Sequence, residues 1–397
     1  AIPHNGNLSN GLMFSVETYA GEPLSPELAT LRASLEPVIE ATQIKGDGEA
    51  HPFLSPDDEF ADYETWDDAN LDGTEVKKPE MLQFEYARSA LKTGLALEQE
   101  LGVNPFKFGM IGSTDAHTSL AAVEEDNFFG KHSGGEPEPH RWEHVVIASP
   151  KDPNLTTYGW QQASGGYAAV WATENTRGAI FDALVRKEVY ATTGSRMWVR
   201  FFGGWEFNEE DMLSRTPAFA GYRKGVPMGS DLPAAASGAS APTFMLYALK
   251  DPIGANLDRI QIVKGWLDAN GETQEKVYDV VWSGDRQPDG NGVLPPVGDT
   301  VDVARATWTN SIGSAELATI WKDPDFDPRQ PAYWYTRVLE NPVCRWSQRQ
   351  CVAAGVDCGR PQTIGPGYEA CCDARHRPVI QERAWSSPIW YSPAADA

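Results

Sequence analysis

Two short stretches hold residues able to do chemistry: His4-Asn5-Gly6-Asn7 at the start of the chain, and Gly112-Ser113-Thr114-Asp115-Ala116-His117. Asp115 and His117 stand two residues apart just beyond FKFGMIG (106–112), a run that reads as a strand. In extended chain, i and i+2 side chains share a face, about 6–7 Å apart at Cα. A carboxylate and an imidazole so placed can reach one divalent ion or two neighbouring ones. Barrel enzymes keep such groups at the carboxyl ends of parallel strands. Alone, the pair is a weak signal, because a surface aspartate bonding its own loop gives the same string. His4 strengthens it. It follows a short apolar start, with Asn5-Gly6-Asn7 supplying turn chemistry and polar atoms behind it.

Other candidates are weaker. Glu49 and His51, in GDGEAH, lie in a glycine-flanked loop just beyond PVIEATQIKG (37–46), and suit substrate or metal as well as solvent. Glu40 lies within that strand. Arg196, in TTGSR, offers a guanidinium fork that matches phosphate or carboxylate, and a structural ion pair explains it equally well. Asp68, Asn70, Asp72 and Gly73 open like a calcium loop, but Pro79 stands where the closing glutamate belongs, so an acidic loop is the better reading. Trp171 and Glu174 read as a packed aromatic and a helix-start carboxylate. No G-x-S-x-G, Walker A or G-x-G-x-x-G string occurs, which counts against serine hydrolase, NTPase and dinucleotide-binding readings.

The elements that must carry these residues change character along the chain. Up to about residue 190 strand-like and helix-like segments alternate, which suggests α/β with a parallel sheet or barrel. Residues 79–101 predict one helix, opened by Pro79, stopped by Gly102, with Met81, Phe84, Ala87, Leu91 and Leu95 on one face. A second is predicted from about Thr176 to Lys187. Thereafter EVYATTGSRMWVRFFGG, TFMLYALKD, LDRIQIVKGWL, KVYDVVWSG and AYWYTRVLE alternate with turn signals such as Ala269-Asn270-Gly271, the pattern of an antiparallel sheet. AAASGASAP (234–242) reads as a flexible loop.

At 397 residues the chain has room for two domains. Its net charge of −23 disfavours nucleic acid and anionic membrane as partners, and no apolar run reaches the ~18 residues of a membrane span. All five cysteines fall between Cys344 and Cys372, without the C-x2-C spacing of a zinc module. Two disulfides with one thiol left over fit better than free buried thiols. Disulfides imply an oxidising compartment, periplasmic or extracellular.

The HNGN string, the IEATQIKG strand and GSTDAH resemble the later motifs of the PHP (polymerase and histidinol phosphatase) superfamily. The strings EFADYETWDDANLDG, GGYAAVWATENTRGAIFDAL, VYATTGSR and RAWSSPIWYS are similar to a large bacterial PHP-like family of unknown function, so the likeness spans nearly the whole chain. It implies a metal-dependent hydrolase of a small-molecule phosphoester, using a water activated by two or three divalent ions (Zn, Mn or Fe). His4, Asp115 and His117 would be metal ligands, with Asn5, Glu49, His51 and Arg196 facing substrate. The implied fold is the carboxyl-terminal part of a distorted (β/α)7 barrel over residues 1–200, followed by a β-rich domain over 201–397. Asn5 stands where the superfamily usually has proline. The His-x-His strand that opens PHP enzymes is absent, the seven histidines being His4, His51, His117, His132, His140, His144 and His376. That absence leads to the expectation of a companion polypeptide carrying the first part of the barrel. The alternatives are an amidase-like or other non-phosphate hydrolase, and a non-catalytic binding or structural protein.

Overall fold

Strand β1 (Val38–Gln43) turns through Ile44-Lys45 into β2 (Gly46–Asp47), its antiparallel neighbour, while β3 (Gly109–Gly112) lies parallel along its other side. The computed structural model describes residues 1–132, 136, 138, 140–234 and 241–393; residues 235–240 of the expected flexible loop lie outside the described residues. Val38, Ile39, Met110 and Ile111 are buried, as the apolar runs of a covered parallel pair require.

Helix α1 (Pro26–Leu35) starts at Ser25, whose hydroxyl accepts the Leu28 N–H, with Pro26 in the first turn. The single helix expected over 79–101 is broken into α2 (Pro79–Leu82) and α3 (Ala87–Leu101). The break has a tertiary cause. The Ala87 and Arg88 N–H groups donate to the Gly48 and Glu49 carbonyls, so α3 takes its first partners from the loop after β2. Glu85, fully buried, accepts hydrogen bonds from the Gly11 N–H at 2.9 Å and from Lys77 at 2.6 Å. α3 still buries Ala87, Ala90, Leu91 and Leu95, and it ends at Gly102, whose φ of 75° suits glycine. Helix α4 (Arg177–Val185) begins at Thr176, which accepts the Ala179 N–H.

The strand runs of the second half pair antiparallel. One sheet has the order Thr273–Trp282, Leu257–Leu267, Ala332–Glu340, Arg383–Ser386, Val189–Thr192, Tyr167–Val170, with Ile389–Tyr391 also paired to Ala332–Glu340. A second sheet has Glu316–Lys322, Thr243–Leu249, Trp198–Gly204 and Gly225–Pro227 in that order. The apolar face of α3 packs with Val263, Tyr333, Tyr335, Trp385 and Trp390 in one core, which also takes in Ile39, Met110 and Phe14.

The expected (β/α)7 barrel is not formed. Among the described residues β1 and β3 are the one parallel strand pair, the sheets are open, and the protein is β-rich. Alternating strand and helix signals fit a barrel only if successive strands stay parallel. Here the next two strands, Val145–Ile147 and Thr157–Tyr158, pair antiparallel with each other, Tyr167–Val170 and Val189–Thr192 enter the large antiparallel sheet, and α3 covers that sheet as well as β1 and β3.

Cys351 pairs with Cys371 and Cys358 with Cys372, leaving Cys344 buried and unpaired, as the spacing suggested. No helix among the described residues is long and apolar enough to cross a membrane.

Candidate functional site

β1 and β3 end side by side. At Gly112 an added Cβ would lie 2.6 Å from the Thr192 carbonyl oxygen and 2.8 Å from that of Tyr167. Only glycine lets β3 pass so close to the strands beside it. One residue on, the Ser113 N–H donates to the Thr42 carbonyl at 3.0 Å, and the Ser113 hydroxyl donates to the Glu40 carboxylate. The chain then enters the left-handed region at Asp115, with φ 48°; Asn5 does so with φ 57°. That conformation costs an L residue about 1–2 kcal/mol and is borne best by asparagine and aspartate. Two of the residues singled out from sequence therefore hold strained backbone at one end of the small sheet.

The Asp115 carboxylate accepts hydrogen bonds from two ammonium groups, Lys45 at the end of β1 and Lys131. Lys131 also donates to the Asp115 carbonyl at 2.9 Å, and the His117 N–H donates to the Lys131 carbonyl at 2.7 Å, which ties the two segments together. His117 Nε2 lies 3.3 Å from Asp115 Oδ1. The His117 ring meets the His132 ring edge-on, centroids 5.1 Å apart. Both lysines are buried, while the His117 side chain is 59% exposed, so the group opens to solvent on its histidine side.

The charges shape one another. Burial, reinforced by Lys131, pulls Lys45 down to about 8, against the support of Asp115. Burial alone would raise Asp115, but Lys45 and Lys131 outweigh it and hold the carboxyl below its ordinary range. Burial lifts Glu40 despite the Ser113 hydroxyl and nearby His4. Burial, Lys131 and His117 lower His132.

This arrangement overturns the expectation of two or three divalent ions. Among the described residues no group of three or more His, Cys, Asp or Glu side chains is able to hold a metal ion. Asp115, the central expected ligand, is engaged by two ammonium groups that fill the positions a cation would take. His4 is exposed, with Nδ1 3.2 Å from its own Ile2 carbonyl oxygen.

Asn5 belongs to the same end of the sheet. Its Oδ1 accepts from the Gln43 amide, whose Oε1 accepts the Lys45 N–H at 2.7 Å. Glu49 and His51 lie elsewhere, both buried. Glu49 accepts from Arg88 at 2.7 Å and from the Tyr335 hydroxyl, and His51 Nε2 is 3.0 Å from Asp67. Arg196, largely exposed, pairs with Glu124. Asn70 and Asp72 serve their own turn by accepting the Thr74 N–H.

Lys45, Lys131 and His132 were not singled out from sequence. Lys45 follows β1 by two residues, so the strand-end argument that selects Asp115 would have selected it too, had lysine been considered beside metal-ligand types. Lys131 and His132 stand in a segment without periodicity and carry no comparable signal.

A search of the curated proteins finds no match. The family model described as "Protein of unknown function (DUF3604)" matches residues 1–393, and the chain belongs to that family.

Proposed function

We propose that the chain is a hydrolase of phosphoesters, with Asp115, His117, Lys45 and Lys131 as its reacting group. One observation carries this reading: a carboxylate beside a solvent-facing imidazole, flanked by two buried ammonium groups. With its proton on Nε2 facing Asp115, the His117 ring keeps Nδ1 free to accept a proton from water. The two lysines set positive charge where phosphoryl oxygens gather negative charge. The water oxygen attacks phosphorus, its proton passes to His117, and the ester P–O bond breaks. Lys45, at about 8, is matched to protonate the leaving alkoxide. Phosphate and alcohol are the products.

The resemblance to PHP enzymes supports this class of reaction and stays part of the proposal. Two further parts have separate support. A companion polypeptide would cover the outward stripe of α1, where Leu28, Leu31 and Leu35 are 39%, 52% and 53% exposed. The two disulfides favour a periplasmic or secreted protein.

A panel of p-nitrophenyl phosphate, bis(p-nitrophenyl) phosphate, a lactone and an acyl anilide tests the reading. Phosphoester turnover that falls about 10²-fold or more in His117→Gln supports it, that being the usual contribution of a general base. Turnover of the anilide or lactone alone would move the site to acyl chemistry. No turnover of any substrate by the folded chain would favour the binding-protein alternative.

A further inference from the structure

A cavity of about 80 Å³ lies apart from the lysine–aspartate cluster, between the loop at 123–126, the turn at Gly194-Ser195 and the segment at 251–255. Four of its lining residues are acidic and buried: Glu125, Asp251, Glu340 and Glu382, from 9% down to 1% exposed. Asp251 is satisfied by the N–H groups of Arg196, at 2.7 Å, and Ile253, at 3.0 Å. The other three have neutral partners. Glu340 accepts from the Ser195 hydroxyl, Glu382 from the Thr193 hydroxyl, and Glu125 accepts the Trp346 N–H through Oε2.

No lysine or arginine among the described residues pairs with any of these three. The nearby cations are engaged elsewhere: Arg196 with Glu124, Arg345 with Glu64, and the Lys250 ammonium with the carbonyls of Asp251, Pro252 and Gly254. Arg349 also lines the wall without reaching a carboxylate. The second oxygen of Glu125, Oε1, is buried without a hydrogen-bond partner of its own; Arg345 and the Ser164 hydroxyl offset only part of the effect of burial on this carboxyl. An uncompensated buried charge is costly. Burial raises all three, Glu340 to about 8.

We propose that this cavity binds a primary ammonium group, held by Glu125, Glu340 and Glu382. A directly coordinated metal ion needs its donors gathered around one point, and no such group of three is present among the described residues. An ammonium has three N–H donors directed outward, and it can bridge oxygens that stand further apart. Ala255, Trp308 and Val343 in the wall give apolar contact for the attached carbon. Water would fill the space without neutralising three carboxyl groups. The ammonium can come from a free alkylamine or from a lysine side chain of another protein.

Isothermal titration calorimetry with methylammonium chloride and with Nα-acetyl-lysine methylamide tests this, with sodium and calcium chloride as controls. Saturable binding of either amine is expected, with proton release seen as a heat that changes between buffers of different ionisation enthalpy. Binding of methylammonium alone points to a free amine; binding of the lysine derivative points to a protein side chain. Glu125→Gln should weaken binding at least about tenfold. Glu382→Gln serves if the first variant does not fold by far-UV circular dichroism. Arg349→Gln should bind as the native chain does. The proposal is overturned by saturable calcium binding without amine binding, by no saturable heat from either amine, or by amine binding that appears only in Arg349→Gln. The last result would make Arg349 the resident cation.

Discussion

Replacing Asp115 by asparagine removes the single negative charge between Lys45 and Lys131. It keeps the size of the side chain and a residue type that tolerates φ 48°. The two ammonium groups share one oxygen of Asp115, so their nitrogens stand on the order of 4–5 Å apart. At an effective dielectric of about 20, two unit charges at that distance repel by about 3–4 kcal/mol. Removing one partner of a buried ion pair costs a similar amount, about 3–5 kcal/mol, and both lysine side chains are under 10% exposed. Loss of the Lys45 proton limits the damage, so the expected loss at pH 7 is about 3 kcal/mol. The pH dependence has a definite sign. A lysine whose folded pKa lies below its unfolded one makes stability rise with pH between the two values. In the native chain that window opens near 8; in the variant it opens lower. Between about pH 7 and 8 only the variant gains, and the gap narrows. Urea unfolding followed by circular dichroism measures it, with Lys45→Met and the double variant completing a cycle. A loss below about 1 kcal/mol with no coupling to Lys45, the size of a surface substitution, would refute the reasoning.

Three further outcomes are expected. The phosphoester kcat/KM should fall as pH rises through about 8, where Lys45 loses its charge, and Lys45→Arg should move that limb upward; a native profile flat to about pH 10 would rule out a role for the Lys45 proton. The disulfides close loops of 20 and 14 residues in sequence separation, each worth about 3 kcal/mol by loop entropy. Reduction should therefore make the Arg375–His376 bond open to trypsin before other sites, as mass spectrometry of the first fragments would show. Leu91→Ala, at a fully buried position of α3, should cost about 2–5 kcal/mol on urea unfolding and leave kcat/KM unchanged.

Local signals were legible where local chemistry decides. Thr176 and Gly102 mark helix ends through bonds made within a few residues, and the β-branched and aromatic runs after residue 190 become strands. The antiparallel pairing of those later runs was legible too, but pairing in the first half was not, because an alternating series of strands and helices does not say whether the next strand stays parallel. The break between α2 and α3 was equally hidden, since it is made by the Gly48 and Glu49 carbonyls, far from it in sequence. α1 was not read from sequence, and its leucines at 28, 31 and 35 face outward, against the usual use of such a stripe. Within the site, Asp115 and His117 were visible through their spacing. Their partners were not: Lys45 comes from 70 residues away and Lys131 from 16, and no spacing rule connects them.

The central claim is that this cluster hydrolyses a phosphoester. The most direct measurement is p-nitrophenol release from bis(p-nitrophenyl) phosphate and p-nitrophenyl phosphate by the purified chain, beside His117→Gln and Lys45→Met. Turnover by the native chain is expected, with a loss of about 10²-fold or more in both variants. Turnover that survives both substitutions unchanged, or none by the folded native chain, would contradict the claim.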